Sequence, residues 1–263
     1  MKNKISSLAL SLFLISTISF AQKTVEASDI MTAIKTGKTI SYQNATIVGV
    51  LDFTYMDEAL SKLQKNKKNS WWNNGGSDNN AKNLIDVKIS FVNCTFKDDV
   101  LAYIPDEDSG YTFTADFEDE VLFKNCNFKR KAMFKYSRFE RNTDFSGTNF
   151  DDDSTFKYAK FDGGISFSST NFSEISTFKN ATFDKNVSFA NSIFKDSAVF
   201  KYTKFNNGVS FKNTNFKEDL NIKYMQVSGD FNITGMKVGY DIDSKYTKIN
   251  GKSFNKLLLN SNE

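Results

Sequence analysis

The sequence contains no histidine, two cysteines and a single proline. Without histidine there is no Ser-His-Asp or Cys-His nucleophilic site and no His-ligated zinc. Cys94 and Cys126 are too few for a disulfide scaffold or a thiolate cage. No phosphate-binding Gly loop is present. Acids sit in runs such as Asp151-Asp152-Asp153, which read as solvated turns. "DEDSG" at 106–110 lacks the downstream bidentate Glu of a calcium loop. No cofactor or metal is expected, and no catalysis: a sugar-active β-helix would need acids clustered in a cleft.

Charge of one sign is scarce at the start. Lys2 and Lys4 precede an apolar run, and Ser19 and Ala21 fit −3 and −1 of a cleavage point before Gln22. Residues 1–21 therefore read as a secretory signal peptide. Its removal leaves 32 Lys+Arg against 31 Asp+Glu and no transmembrane span. A mature chain so close to neutral is not expected to bind nucleic acid. The expected location is the periplasm or the extracellular space.

What is abundant is phenylalanine, at 27 residues. In "FANSIFKDSAVFKYTKFNNGVSFKNTNF" it occupies 189, 194, 200, 205, 211 and 216. Gaps of five and six match neither a helix nor a half-buried strand. Phe keeps this spacing without a miss from 123 to 216, and Ile222, Val227, Ile233 and Val238 extend it. Internal repetition of this kind governs the fold. Two residues before each Phe stands a small or apolar residue, such as Ala132, Ser137, Thr143 or Thr148. In an extended chain, residues two apart face the same way. Each unit is thus a very short strand with two inward residues, followed by a turn.

Four units make one circuit. Lys135-Tyr136, Lys157-Tyr158, Lys179-Asn180, Lys201-Tyr202, Lys223-Tyr224 and Lys245-Tyr246 recur every 22 residues, not every 11. A Phe with a small residue two positions earlier resembles the pentapeptide-repeat family. "FKYSRF", "FKYAKF", "FKNATF" and "FKYTKF" carry the likeness, and "GDFNITGMKV" at 229–238 resembles an eleven-residue variant. The resemblance spans about residues 85–250 and, more weakly, 40–58. It implies an all-β, right-handed, quadrilateral parallel β-helix. The extra residue in every second unit departs from the family's regular five. Relatives that imitate DNA need a strongly acidic surface, which this chain lacks.

The expected organisation is a capping segment at 22–39, a solenoid over 40–250 and a C-terminal cap at 251–263. Ser28 followed by "DIMTAIKTG" reads as a capping helix, and "SFNKLLL" at 253–259 as its counterpart. Two insertions interrupt the register, at about 54–84 and 97–116. Counting back by units of four gives the first the fourth face of one coil and the first face of the next. The second falls at the same corner one coil later. The same count puts Cys94 and Cys126 at equivalent inward positions in adjacent coils, within disulfide reach. They read either as a bond or as two buried thiols.

The 22-residue phase uncovers a charge asymmetry. One face gathers Lys135, Arg138, Lys157, Lys160, Lys179, Lys201, Lys204, Lys223, Lys245 and Lys248 with no acid among them. Tyr136, Tyr158, Tyr202, Tyr224 and Tyr246 accompany them. The candidate ligand is an anionic polysaccharide or envelope component, with Tyr rings stacking on sugars and cations meeting anions. Trp71 and Trp72, in a polar Gly/Asn loop beside this face, read either as an anchor or as folded back on the coil. Two functional readings stay open. One is an exported binding or scaffold surface using the Lys/Tyr face. The other is a structural or protein–protein spacer whose surface residues repeat only because the coil does.

Overall fold

Gaps of five and six leave each unit two extended residues and a turn. The computed structural model, which describes residues 23–67 and 79–254, has this form. Strands of two residues, such as Ala132–Met133, Arg138–Phe139, Thr143–Asp144 and Asn149–Phe150, follow one another around the coil. Each pairs in parallel with its counterpart 22 residues later: Ala132 with Ser154, Phe139 with Phe161, Thr143 with Ile165, Phe150 with Phe172. The result is four sheets, one per wall of a parallel β-helix. In chain order, Ile40–Gln43 opens the first face, Ala45–Val48 lies on the second, Leu51–Asp52 on the third and Asn80–Ile85 on the fourth.

The phenylalanines fill the interior in columns. Neighbours within a column stack, from 4.4 Å between the centroids of Phe172 and Phe194 to 5.4 Å between Phe134 and Phe156. Columns from the first and third faces meet edge-to-face mid-coil: Phe167 lies 5.2 Å from Phe156 and 5.3 Å from Phe178. Aromatic quadrupoles favour both arrangements. Each buried Phe contributes roughly 1.5–3 kcal/mol of transfer free energy, so the columns dominate stability.

The small inward residues are explained by hydrogen bonds. Thr170, Ser192, Thr203 and Thr214 donate to the carbonyls of Phe145, Phe167, Phe178 and Phe189 at 2.6–2.9 Å. Most buried hydroxyls find such a partner; Ser137 Oγ is an exception, buried with no hydrogen-bond partner among the described residues. Cys126 takes the same place, with its Sγ 3.4 Å from the Phe91 carbonyl, and the Cys94 Sγ lies 3.6 Å from that of Tyr42. The two cysteines stand on adjacent coils, one before the paired residues Thr95 and Asn127. Both are free thiols rather than a disulfide. Each has backbone carbonyls as partners, like the Ser and Thr that succeed it. A hydrogen bond to Cys94, together with burial, raises the pKa of the Cys126 thiol and keeps it protonated.

The ends differ from expectation in detail. Lys23–Glu26 is itself a strand and pairs with Ala45–Val48 on the second face. Helix α1 (Ala27–Lys35) follows at once and buries Ile30 and Ile34 over the first coil. Residues 54–84 do not replace two faces. Helix α2 (Met56–Lys67) leaves the coil at the corner after the third face, and Asn80–Ile85 returns as the fourth-face strand, with Ile85 beside Phe117. Likewise Val100–Leu101 stays in the coil on the third face, and the second excursion is a hairpin of Tyr103–Asp106 against Tyr111–Phe117. At the far end, Lys252–Ser253 turns back antiparallel on Lys248–Ile249, and Phe254 meets Phe231 edge-on at 6.0 Å. The expected signal peptide, Trp71, Trp72 and most of the expected C-terminal cap lie outside the described residues. No helix among the described residues is long and apolar enough to cross a membrane.

Candidate binding surface at the Lys/Tyr corner

The corner between the third and fourth faces needs one residue in the left-handed region. Tyr136, Tyr158, Asn180, Tyr202, Tyr224 and Tyr246 hold it, at φ between 59° and 64°. Their backbone N–H groups donate to the Lys carbonyls of the next coil: Tyr136 to Lys157, Tyr158 to Lys179, Asn180 to Lys201, Tyr202 to Lys223 and Tyr224 to Lys245, all at 2.9–3.0 Å. These bonds pile the six corner lysines in register, one per coil.

The side chains form a second ladder. Tyr136 stacks on Tyr158 at 5.0 Å, Tyr202 on Tyr224 at 4.7 Å, and Tyr224 on Tyr246 at 4.8 Å. Asn180 interrupts the column. Lys135, Lys157, Lys201, Lys223 and Lys245 each bring Nζ over the adjacent Tyr ring, at 4.9–5.8 Å from its centroid. A cation over a ring face is attracted by its quadrupole. The hairpin of the second excursion adds Tyr103, which accepts a 2.8 Å hydrogen bond from Lys135 Nζ and leans on Tyr136 at 5.9 Å. Tyr103 escaped the repeat count because it lies in an insertion; its aromatic type beside the stripe was the only signal.

This geometry changes the expected role of the tyrosines. Tyr224 has both faces covered by other tyrosines. Tyr158, Tyr202 and Tyr246 each stack on a single tyrosine, so the column is not uniformly open to sugars along its length. The charge is uneven as well. Arg138 Nε lies 2.6 Å from Asp162, with Glu140 at 3.6 Å, and Lys160 reaches Asp162 at 2.9 Å and Asp184 at 3.4 Å. Burial would raise the pKa of Asp162, but hydrogen bonds from Lys160 and Arg138 outweigh it and lower it. Arg138 and Lys160 are therefore paired by acids of the next corner. Among the described residues, the six corner lysines make no ion pair, nor do Lys204 and Lys248. The unpaired charge gathers in the half of the stripe that holds Lys201, Lys204, Lys223, Lys245 and Lys248.

Other candidates do less. Asp106 and Gly110 close the tight turn of the hairpin, where Asp106 accepts from the Ser109 amide at 3.2 Å. Among the described residues, no three His, Cys, Asp or Glu converge as a metal site. A groove of about 490 Å³ lies between α1, α2 and Asn80–Ile85. Two of its lysines are matched within the protein, Lys35 by Glu58 and Lys82 by Asp116.

With the coil and its corner established, comparison with known families is direct. Residues 114–160 and 145–193 match a family model described as "Pentapeptide repeats (9 copies)". These are pentapeptide repeats. The pentapeptide-repeat register runs beyond the matched segment in the structure, to Ile40–Gln43 before it and Lys248–Ile249 after it. Such repeats are typically structural or interaction modules rather than catalysts, which accords with an inside filled by Phe and an outside of repeated rungs. No curated protein and no solved structure matches the chain.

Proposed function

We propose that this is an exported pentapeptide-repeat solenoid whose Lys/Tyr corner binds an extended anionic polysaccharide of the cell envelope. One observation carries the reading: six lysines stacked one per coil with no acidic partner among the described residues. Coils stack at about 4.8 Å. Unit charges at that spacing repel by about 0.9 kcal/mol per neighbouring pair even in bulk water. Cation–π contacts offset part of this, and a polyanion laid along the axis would offset the rest. Flexible lysines suit a repetitive ligand better than one needing a fixed fork. Export rests on Lys2, Lys4, the apolar run and the Ser19/Ala21 pair.

The test is affinity chromatography of the mature protein on polygalacturonate and on a neutral galactan. The expected result is retention on the acidic polymer only, falling away as NaCl shortens the screening length from about 10 Å at 0.1 M to 3 Å at 1 M. Equal behaviour on both columns contradicts the reading.

The second reading, a structural or protein-interaction spacer, draws on the tyrosines spending their faces on one another. It expects no retention on either column.

A further inference from the structure

Asn180 is the one break in the tyrosine column between Tyr136 and Tyr246. Its backbone does not differ from the others: φ is 59° and its amide donates to the Lys201 carbonyl at 3.0 Å. The coil therefore keeps its spacing there, and only the ring is missing. The Asn side chain has half the atoms of a Tyr side chain, so a gap is left between Tyr158 below and Tyr202 above. Two coil steps, about 9.6 Å, separate those residues. The thickness of the gap can be read from the next rungs. Tyr224 fills the corresponding place between Tyr202 and Tyr246, with centroid distances of 4.7 and 4.8 Å. The gap is one six-membered ring thick.

Tyr158 and Tyr202 each stack on one tyrosine only, Tyr136 and Tyr224 respectively, and both are exposed, as are Tyr136 and Tyr246; Tyr224, stacked on both sides, is half-buried. Lys179 is exceptional too. The other five corner lysines each lie over a ring, but the residue beside Lys179 is Asn180. Among the described residues Lys179 has neither a ring nor an acid as partner. The slot, about one ring wide, is thus bordered by Tyr158 and Tyr202, each with its own lysine near the ring, and by Lys179, which has no such ring.

We propose that this slot binds a single anionic ring of the polymer: a uronate pyranose enters between Tyr158 and Tyr202, and its carboxylate meets Lys179. The C–H faces of the sugar take the place of the missing Tyr ring. The carboxylate supplies the counter-charge that the stripe lacks. The slot sets the register of a chain that the other lysines hold only electrostatically. This rests on the polysaccharide reading above and adds a defined subsite to it.

The experiment is a calorimetric titration of tri-galacturonate into the mature protein, with the sugar ring protons followed by NMR. Asn180→Tyr closes the slot with the residue found at five other rungs, so it keeps the fold and every lysine. Asn180→Gly keeps the slot open and suits a positive φ. The expected result is at least tenfold weaker binding by Asn180→Tyr, and binding within about twofold of wild type by Asn180→Gly. Ring protons of the bound trimer should shift upfield, as they do between two aromatic faces. Neutral tri-galactose should bind at least tenfold more weakly than the acid. Equal binding by Asn180→Tyr and wild type overturns the slot while leaving polymer retention intact. A trimer that does not bind although the long polymer is retained overturns it as well. Failure of both trimer and polymer removes the slot together with the broader reading.

Discussion

Two corners of the coil, diagonally opposite, bend the backbone in the same way with different side chains. Between the first and second faces the left-handed residue is Asn125, Gly147, Ser169, Asn191, Asn213 or Gly235, at φ 53–68°. Between the third and fourth faces it is Tyr in five of six coils, at φ 60–64°. The first set is what local sterics select, since Gly and Asn enter this region most readily. Asn side chains there even bond coil to coil, as Asn213 does to Asn191 at 3.1 Å. A bulky residue in that region costs roughly 1 kcal/mol or more. Tyrosine at the other corner is thus kept against the local preference, and the backbone is not what selects it. What selects it acts beyond the turn: the ring stack, the lysine over each ring and whatever meets that row.

Variants can break this contrast, beginning with the one that abolishes both corners. Phe178 stacks on Phe156 at 5.1 Å and on Phe200 at 4.9 Å, and its side chain lies in the interior although its carbonyl closes the corner turn by accepting from the Ala181 N–H at 2.9 Å. Phe178→Ala should cost about 3–5 kcal/mol in chemical denaturation. A loss under 1 kcal/mol would mean that the columns do not carry the fold. Asn191→Tyr places tyrosine at the Asn corner, where no ring column receives it. It should lose about 1–2 kcal/mol, from the left-handed cost and the broken Asn213–Asn191 bond. The reverse change, Tyr224→Asn, relieves the backbone but removes two stacks worth about 0.5–1.5 kcal/mol each. Its net effect in thermal melts should be a loss within about 1 kcal/mol. A clear gain in stability would show that the column is retained for ligand contact alone.

The smallest expected effect concerns pH. The folded pKa of Asp162 is lowered, so its contribution to stability is fully present above the unfolded carboxylate pKa, about 3.9. It is lost as pH falls through the depressed folded value. Asp162→Asn should flatten the stability profile below about pH 4 and change little at neutrality, because Arg138 and Lys160 are largely exposed. An unchanged acid limb in urea melts at several pH values would contradict the Arg138–Asp162–Lys160 pairing.

The coil itself was legible because two independent signals share a period. Phe marks the interior every five or six residues, and the Lys-Tyr offset marks the 22-residue circuit. The strands outside that code were not legible. Lys23–Glu26 carries one buried side chain, Val25, and Asn80–Ile85 only Ile85, so neither shows a repeat. The row of Lys and Tyr was readable for the same reason as the coil. The direction of the rings was not, since residue spacing does not fix side-chain rotamers. Nor was the neutralisation of Arg138, whose partner Asp162 lies in the next coil and meets it only once coils stack; Lys160, two residues from Asp162 in the same coil, shares that acid and also reaches Asp184. Cys94 and Cys126 were placed by the register, but their kinship with the Thr and Ser rungs needed the carbonyl contacts.

The most direct test of the proposed docking corner is a charge-matched comparison of affinity for polygalacturonate. Lys201→Gln/Lys223→Gln/Lys245→Gln removes three charges from the Tyr corner. Lys195→Gln/Lys212→Gln/Lys217→Gln removes the same number from exposed positions at other corners. The account predicts at least a tenfold loss of affinity and a shallower salt dependence for the first triple variant, with the second within about twofold of wild type. Equal losses in both would mean that net charge, and not the stacked corner, does the binding.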